Sequence, residues 1–444
     1  MKNKISIVLF LILTLGFIVF EAEAQDSVWT LQTCIDQALK QNIQIQQSEL
    51  NIQISRINTD QTRSNRFPSV DASVRQDFGW STETDQTSGT DSFTGSSNTS
   101  ASLSSSVVLY NGNKLTNTIK QAQLDYEAGK LDLESLKESI SLSVMDAYLQ
   151  ILYAQEQVSN SLNQIEVTGK ELHLAAERLK ASIISKADYL QIQSQLADEK
   201  LTLANAQSLL AINKVVLMQL MEQPLDPNFE IAEPELSSLI ERKLTTDPDS
   251  VYQIALSIKP QIKSYSIKKE STGIGIELAK AEYYPRISMD AGLGTGYYSL
   301  TQNSALAQQL SKNINPTVGV SLSIPIYSNR QTRNQVQIAR INTENAKLDL
   351  KNTMNQLRKS VEQACTDANS AEKQYEASLE QYQANIESYA VSSEKFNQGM
   401  INSVDYLYEK TNLITAESQL LQSRYNLIFS YKLLDFYTGK PLSL

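Results

Sequence analysis

The amino-acid sequence predicts a mainly helical chain that also supplies four β-strands to a barrel shared between several copies. Three observations predict this fold class. The chain matches itself at a constant offset of 217 residues, each copy contains two stretches in which apolar and polar side chains alternate, and each copy ends in a helical pattern longer than a compact domain needs. Each copy should therefore run helix, strand, strand and long helical hairpin.

The N-terminus has the parts of a secretory signal peptide. Lys2 and Lys4 precede an apolar run over residues 5–20, and an Ala-Glu-Ala site ends at Ala24. We expect cleavage near Ala24 and a mature chain that begins at Gln25. Because no cysteine stands at the cleavage point, the mature end should carry no lipid.

Composition excludes several classes of function. The formal net charge of −10 and the pI near 5.0 argue against a nucleic-acid partner. The single histidine, His173, has no metal-ligand spacing around it, so we expect no metal, no cofactor and no enzymatic activity. Residues after 24 contain no apolar run that predicts a membrane-spanning helix. Whether Cys34 and Cys365 pair stays open.

The duplication divides the chain at defined points. Matched pairs include Pro68 with Pro285, Tyr110 with Tyr327, and Asp188 with Asp405. The predicted divisions are a signal peptide (1–24), a first repeat (25–222), a linker (223–243), a second repeat (244–439) and a tail (440–444). A period this long indicates two structural copies rather than a short-repeat solenoid.

The first element of each copy is predicted to be one helix, over residues 31–65 and 249–282. Pro68 and Pro285 follow, and proline pushes the preceding residue out of the helical region, so strands should begin there. Each strand is expected to reach about 10 to 12 residues, enough for a tilted crossing of a bilayer. Loops are expected over residues 81–98 and 299–314.

The predicted strands each have one apolar face, with Gln76 as an exception. In the first copy this face comprises Val70, Ala72, Val74, Phe78, Trp80, Ala101, Leu103, Val107 and Leu109; in the second it comprises Ile287, Met289, Ala291, Leu293, Val318, Val320, Leu322, Ile324 and Ile326. The opposite faces carry small or charged side chains. This pattern indicates a transmembrane barrel with lipid outside and water inside.

Aromatic residues near the predicted strand ends suggest an interfacial girdle: Phe78, Trp80, Tyr297 and Tyr298. Four strands cannot close a barrel, and an open sheet edge in lipid would leave backbone polar groups without partners. The chain must therefore assemble. Strand counts alone do not choose between two copies and three.

The helical hairpins are long enough to form a tunnel. From Lys114 to Leu179 there are 66 residues without proline, or about 100 Å of helix. In the second copy a coiled-coil seam is predicted by residues spaced three and four apart: Ala364, Ala368, Ala371, Tyr375, Leu379, Tyr382, Ile386 and Tyr389.

Two stretches resemble the TolC family of outer-membrane efflux proteins. Residues 396–407, Phe-Asn-Gln-Gly-Met-Ile-Asn-Ser-Val-Asp-Tyr-Leu, are similar to the periplasmic tip of those channels, and residues 29–42 are similar to their opening helix. The resemblance implies a homotrimer with a 12-stranded transmembrane barrel, an α-helical tunnel through the periplasm and a location in the outer membrane. It also implies two protein partners, a periplasmic membrane-fusion adaptor and an inner-membrane transporter of RND or ABC type.

The resemblance also implies roles at the tips. Asp405 matches an acidic ring at the entrance and Asp188 its first-copy counterpart. For Asp188 helix capping is favoured, whereas for Asp405 capping and a gate role stay equally open. Tyr408 stands where some members carry a second acidic ring. The adaptor-docking candidates are Gly399, Met400, Ile401, Asn402 and Ser403, with Ser182, Ile183, Ile184 and Ser185 in the first copy.

The first-copy turn departs from the family pattern because Ser182 replaces the usual glycine, so docking is favoured at the second-copy turn. The leading function is a passive exit duct for a tripartite efflux pump. One alternative is the outer-membrane component of a type I protein-secretion system. An alternative of another class is a soluble periplasmic coiled-coil scaffold.

Overall fold

The computed structural model describes residues 28–84, 89–235, 247–299 and 305–444. The predicted signal peptide and much of the predicted linker lie outside these residues. The described elements in chain order are α1 (Leu31–Gln41), α2 (Ile43–Ser64), β1 (Ser69–Thr84), β2 (Asp91–Asn111), α3 (Lys114–Lys180), α4 (Lys186–Leu220), α5 (Pro248–Ile258), α6 (Pro260–Ala281), β3 (Arg286–Tyr298), α7 (Leu306–Lys312), β4 (Asn315–Ser323), α8 (Gln331–Asn397) and α9 (Ser403–Tyr437).

The duplication is confirmed in the helix bounds. The helices α1 and α5 have 11 residues each, α2 and α6 have 22, α3 and α8 have 67, and α4 and α9 have 35. Every first-copy helix begins 217 residues before its counterpart. The two copies thus share one plan, as the sequence predicts.

The single opening helix predicted in each copy is wrong, because each breaks at an equivalent residue. In the first copy the Asn42 side chain accepts backbone N–H groups from Gln44 and Ile45 and so begins a second helix. In the second copy Lys259 adopts extended backbone before Pro260. The buried Lys259 ammonium lies 3.0 Å from Glu138 on α3, so this break also joins the two copies.

The four strands form one antiparallel sheet in the order β1-β2-β3-β4. Pairing keeps the predicted faces in phase: Ala72 lies opposite Leu103, and Leu103 lies opposite Leu293. The polar faces also align, with Ser73 and Ser102 hydroxyls 2.8 Å apart. One apolar face therefore runs across the whole sheet.

Strand lengths differ from the prediction. The strands have 16, 21, 13 and 9 residues, and the predicted loop over residues 81–98 is largely β-hairpin. A bulge between Val108 and Tyr110 places Tyr110, not Leu109, opposite Ile287 on the apolar face.

The strand ends also differ from the prediction. Ile324 and Ile326, assigned to the last strand, lie beyond its end at Ser323. Tyr298 pairs with Asn98, which lies opposite Asp77 on the polar face, so Tyr298 does not share the apolar row of Tyr297.

The predicted loop over residues 299–314 contains the short helix α7, although residues 300–304 lie outside the described part. Gln309 on α7 is buried, and its amide bonds the backbone N–H and C=O of Tyr298, at 3.0 and 3.3 Å. The Asn313 amide donates to the carbonyl of Gly296, at 2.9 Å. Side chains thus cover the edge of β3 where β4 has ended.

The long helices pack as two hairpins, α3 with α4 and α8 with α9. The predicted α8 seam is buried at Ala364, Ala368 and Ala371, but Ile386 is 41% exposed. A straight helix drifts about 20° per heptad relative to a 3.5-residue repeat, which explains why the seam turns away.

One helix needs a second correction. By length and composition α4 could cross a membrane, with a mean hydropathy of 1.3 in one window, so the expectation of no such segment after residue 24 is wrong. In the structure α4 packs along α3, with Ile192 and Leu217 buried. Cys34 and Cys365 are free thiols in separate cores, and burial raises the pKa of Cys34 to about 12.

Candidate functional site at the hairpin tips

Each helical hairpin reverses through an equivalent tight turn. After α8, Gly399 adopts a left-handed backbone with φ 73°, and the N–H of Met400 bonds the carbonyl of Lys395. After α3, Ser182 adopts the same region with φ 59°, although a left-handed conformation is unfavourable for serine. Both turns leave an apolar side chain in solvent, Met400 at 70% and Ile183 at 71% exposure.

We expect Gly399→Ala to destabilise the hairpin by about 1 kcal/mol. A Cβ at this position would meet no atom within 4 Å, so the whole cost comes from the positive φ. Gly169 in the middle of α3 offers a matched control, because its Cβ would also meet open space while its backbone is helical. There the same change should stabilise by about 0.5–1 kcal/mol. Thermal unfolding followed by circular dichroism measures both, and shifts of the same sign would contradict the account.

The helix that follows each turn is capped differently. The Ser185 hydroxyl accepts the N–H of Asp188, while the Asp188 carboxylate accepts the N–H of Ser185, a reciprocal capping box. On α9 the Asn402 side chain accepts the N–H of Asp405. The capping role considered for Asp405 therefore belongs to Asn402, and the Asp405 carboxylate is exposed.

The two tips of one chain are joined through a serine that the sequence offered only as a docking candidate. Ser403 is fully buried, and its hydroxyl lies 2.5 Å from both Asp188 and Gln191. Ser403 is thus turned inward against the first-copy tip rather than outward. Hydrogen bonds from Ser185 and Ser403 hold the pKa of Asp188 below its usual value.

This pKa shift sets a pH dependence. Because the folded-state pKa of Asp188 lies below its unfolded value of about 3.9, its contribution to stability is present above about pH 4 and is lost as the pH falls through the folded value. Hydrogen exchange of residues 181–190 should stay constant from pH 7 to about 4 and then quicken. Asp188→Asn should quicken exchange at all these pH values and remove the acid transition, whereas a transition centred above pH 5 would refute the assignment.

A buried ionic cluster lies about three turns above the tips. The Lys410 ammonium on α9 donates to Glu171 and Thr168 on α3, at 2.6 and 2.7 Å, and lies 3.9 Å from Glu199 on α4. The Tyr406 hydroxyl donates to Glu171 at 2.5 Å. Lys410 and Glu199 are each only 4% exposed, so charges from three helices meet out of water.

Sequence reasoning missed this cluster. The available signal was Lys410 one turn after Tyr406, on the side of α9 that should face the core. Burial raises the pKa of Tyr389, which contacts the same site, to about 12, so its hydroxyl stays protonated and can donate. Within the described residues, no group of three or more histidine, cysteine or acidic side chains could hold a metal ion.

The remaining predicted residues separate into two sets. Tyr408 is 65% exposed and stands one turn after Asp405, so both project from the same side of α9. Of the docking candidates, Gly399, Met400, Asn402, Ser182, Ile183 and Ser185 are exposed, Ile401 and Ile184 are half-buried, and Ser403 is buried.

Comparisons with known proteins agree with this architecture. CusC superposes with a TM-score of 0.81 at 17% identity, over 93% of this chain and 92% of CusC. The Campylobacter jejuni CmeC outer membrane channel gives a TM-score of 0.77 at 16% identity, over 93% of this chain and 87% of that one. These likenesses show the fold.

Sequence similarity identifies the family. Toxin and drug export protein A of Aggregatibacter actinomycetemcomitans is 21% identical over 321 residues, which are 71% of this chain and 66% of that protein. The chain thus spans just under two thirds of that relative's length. The profile of the outer membrane efflux protein family matches residues 34–222 and 251–440, most of both copies. The chain belongs to the outer membrane efflux protein family.

Proposed function

We propose that the chain is one subunit of an outer-membrane channel that serves as a passive, trans-periplasmic exit duct of a tripartite efflux pump. One observation carries this proposal: the four-stranded sheet has an apolar face across all its strands, and β1 and β4 each pair on only one side within the described chain. Such edges cannot face lipid without partners. Further copies of the chain supply them.

Three copies would give a barrel of 12 strands, within the range of known outer-membrane barrels. Below the barrel, α3 and α8 each contain 67 residues, or about 100 Å of helix, and would form the tunnel wall. The apolar sheet face would contact outer-membrane lipid. A soluble periplasmic scaffold would leave Val318 and Val320, 73% and 67% exposed, in water.

The tips are assigned to gating and docking. Asp405 and Tyr408 project from one side of α9, and three Asp405 carboxylates around a common axis would favour cations. Met400 and Ile183 offer apolar side chains to a periplasmic adaptor protein, which links the duct to an inner-membrane transporter of RND or ABC type. The name of the export-protein relative covers toxins as well as drugs, so a type I protein-secretion role is the second candidate.

Planar-bilayer recording of the purified, detergent-solubilised chain tests this function. We expect discrete, cation-preferring conductance steps, with the preference reduced in Asp405→Asn. Asp198→Asn is a matched control, since Asp198 is an exposed carboxylate on α4 away from the turns. Absence of any conductance, together with extraction in water without detergent, would contradict the proposal.

A further inference from the structure

The two hairpins of one chain meet along a polar seam between α3 and α9. The α3 residues in this seam recur at spacings that keep them on one side of a helix: Glu156, Gln164, Thr168, Glu171 and Arg178. Three rungs join the helices, Glu156 with Arg424 and Tyr425, Gln164 with Glu417, and Glu171 with Lys410. Two of the three rungs are pairs of opposite charge.

The duplication identifies the corresponding seam between neighbouring chains. Because α8 is the counterpart of α3 and α4 is the counterpart of α9, the equivalent contact joins α8 of one chain to α4 of a second copy. Shifting each rung by 217 residues places three pairs opposite each other: Lys373 with Gln207, Gln381 with Lys200, and Ser388 with Gln193. All six side chains are exposed in the single chain, as a surface awaiting another copy should be.

The two seams differ in charge. In the shifted seam no rung is a pair of opposite charges: each lysine faces an amide, and the third rung is neutral. Within the chain, by contrast, Lys410 is buried with its carboxylates, and removing one partner from a buried ion pair is strongly unfavourable. Separating the hairpins of one chain is therefore the costlier motion.

We propose that the two hairpins of each chain move as one rigid unit and that the periplasmic entrance widens along the α8–α4 seam between chains. This inference rests on the proposed channel function. It assigns a residue-level contact between copies and locates the motion at that contact, so an adaptor that opens the duct acts across the boundary between subunits.

Cysteine cross-linking tests the contact itself. Gln207→Cys with Lys373→Cys, treated with a short bifunctional thiol reagent, should give covalent trimers on denaturing gels. The within-chain pair Gln191→Cys with Ser403→Cys should react without forming any larger species, and the buried native cysteines serve as the unreactive wild-type control. If the first pair reacts only within one chain, or not at all in assembled protein, the assigned seam is wrong.

Bilayer recording tests the motion. The double variant Gln207→Glu with Gln381→Glu places a carboxylate opposite Lys373 and Lys200 with almost no change in shape, and should lower the open-state occupancy about fivefold, as two partly exposed ion pairs allow. Gln207→Lys with Gln381→Lys is the matched control and should not lower it. Cross-linking residues 191 and 403 in the within-chain pair should leave conductance unchanged.

A within-chain cross-link that abolishes conductance, reversed on reduction, would overturn the proposal, and so would equal occupancy in the glutamate and lysine variants. The two tests separate this inference from the channel function. If the wild-type chain forms covalent trimers through residues 207 and 373 but never conducts, the proposed function fails while the seam stands. If it conducts but the within-chain lock blocks it, the function stands and the inference fails.

Discussion

Lys410→Met is expected to destabilise the lower hairpins by about 3–5 kcal/mol, because it leaves buried carboxylates without their cation. Glu199 is 4% exposed, and its Oε2 has no hydrogen-bond partner within the described residues. Glu171 would retain only hydroxyl donors, from Tyr406 and Tyr389. Thermal unfolding followed by circular dichroism in detergent would measure the loss.

Lys170→Met is the matched control. Lys170 also pairs with a glutamate, Glu166 at 2.7 Å, but its side chain is 74% exposed, so its removal should leave the unfolding midpoint unchanged. Lys410→Met combined with Glu171→Gln and Glu199→Gln should regain most of the lost stability, since no buried charge then remains. Equal effects of Lys410→Met and Lys170→Met would show that the cluster does not hold the hairpins together.

Val320→Arg is expected to prevent stable insertion of the barrel. Val320 lies in the middle of β4 on the apolar face, opposite Met289, and a lipid-facing arginine costs about 2–4 kcal/mol at the bilayer midplane. With one substitution per chain, the cost recurs in every copy. The yield of heat-modifiable oligomer folded into lipid vesicles measures the effect.

Gly319→Arg, one residue earlier, is the control on the opposite face. A Cβ there meets nothing within 4 Å, so the side chain can enter the aqueous lumen and the folded yield should stay near that of the wild type. If the two variants fold equally well, or if Gly319→Arg is the one that fails, the assignment of lipid and lumen faces would be reversed or wrong.

The sequence predicted the fold wherever the duplication constrained it. The offset between Pro68 and Pro285 recurs in every paired helix, because two copies of equal length with no insertion must place equivalent helices at equivalent positions. The strand faces followed from alternation, since a one-residue error would turn every side chain over. The left-handed turn at Gly399 followed from the freedom of glycine.

The misses have local causes. The break at Asn42 depends on one side chain capping the next helix, which competes with an otherwise continuous helical pattern. Ser-, Thr- and Gly-rich residues between Trp80 and Asn98 were taken for a loop, but pairing with a partner strand holds them in β-structure despite weak propensity. The Lys410 cluster joins helices separated by more than 200 residues in the chain, and no local pattern encodes such a contact.

The mass of the detergent-solubilised particle, determined by light scattering with the detergent contribution subtracted, tests the central claim most directly. A sheet with two open edges and one apolar face requires other copies to complete it, so the particle should contain three chains and should aggregate when detergent is removed. A stable, water-soluble particle with the mass of a single chain would contradict this account.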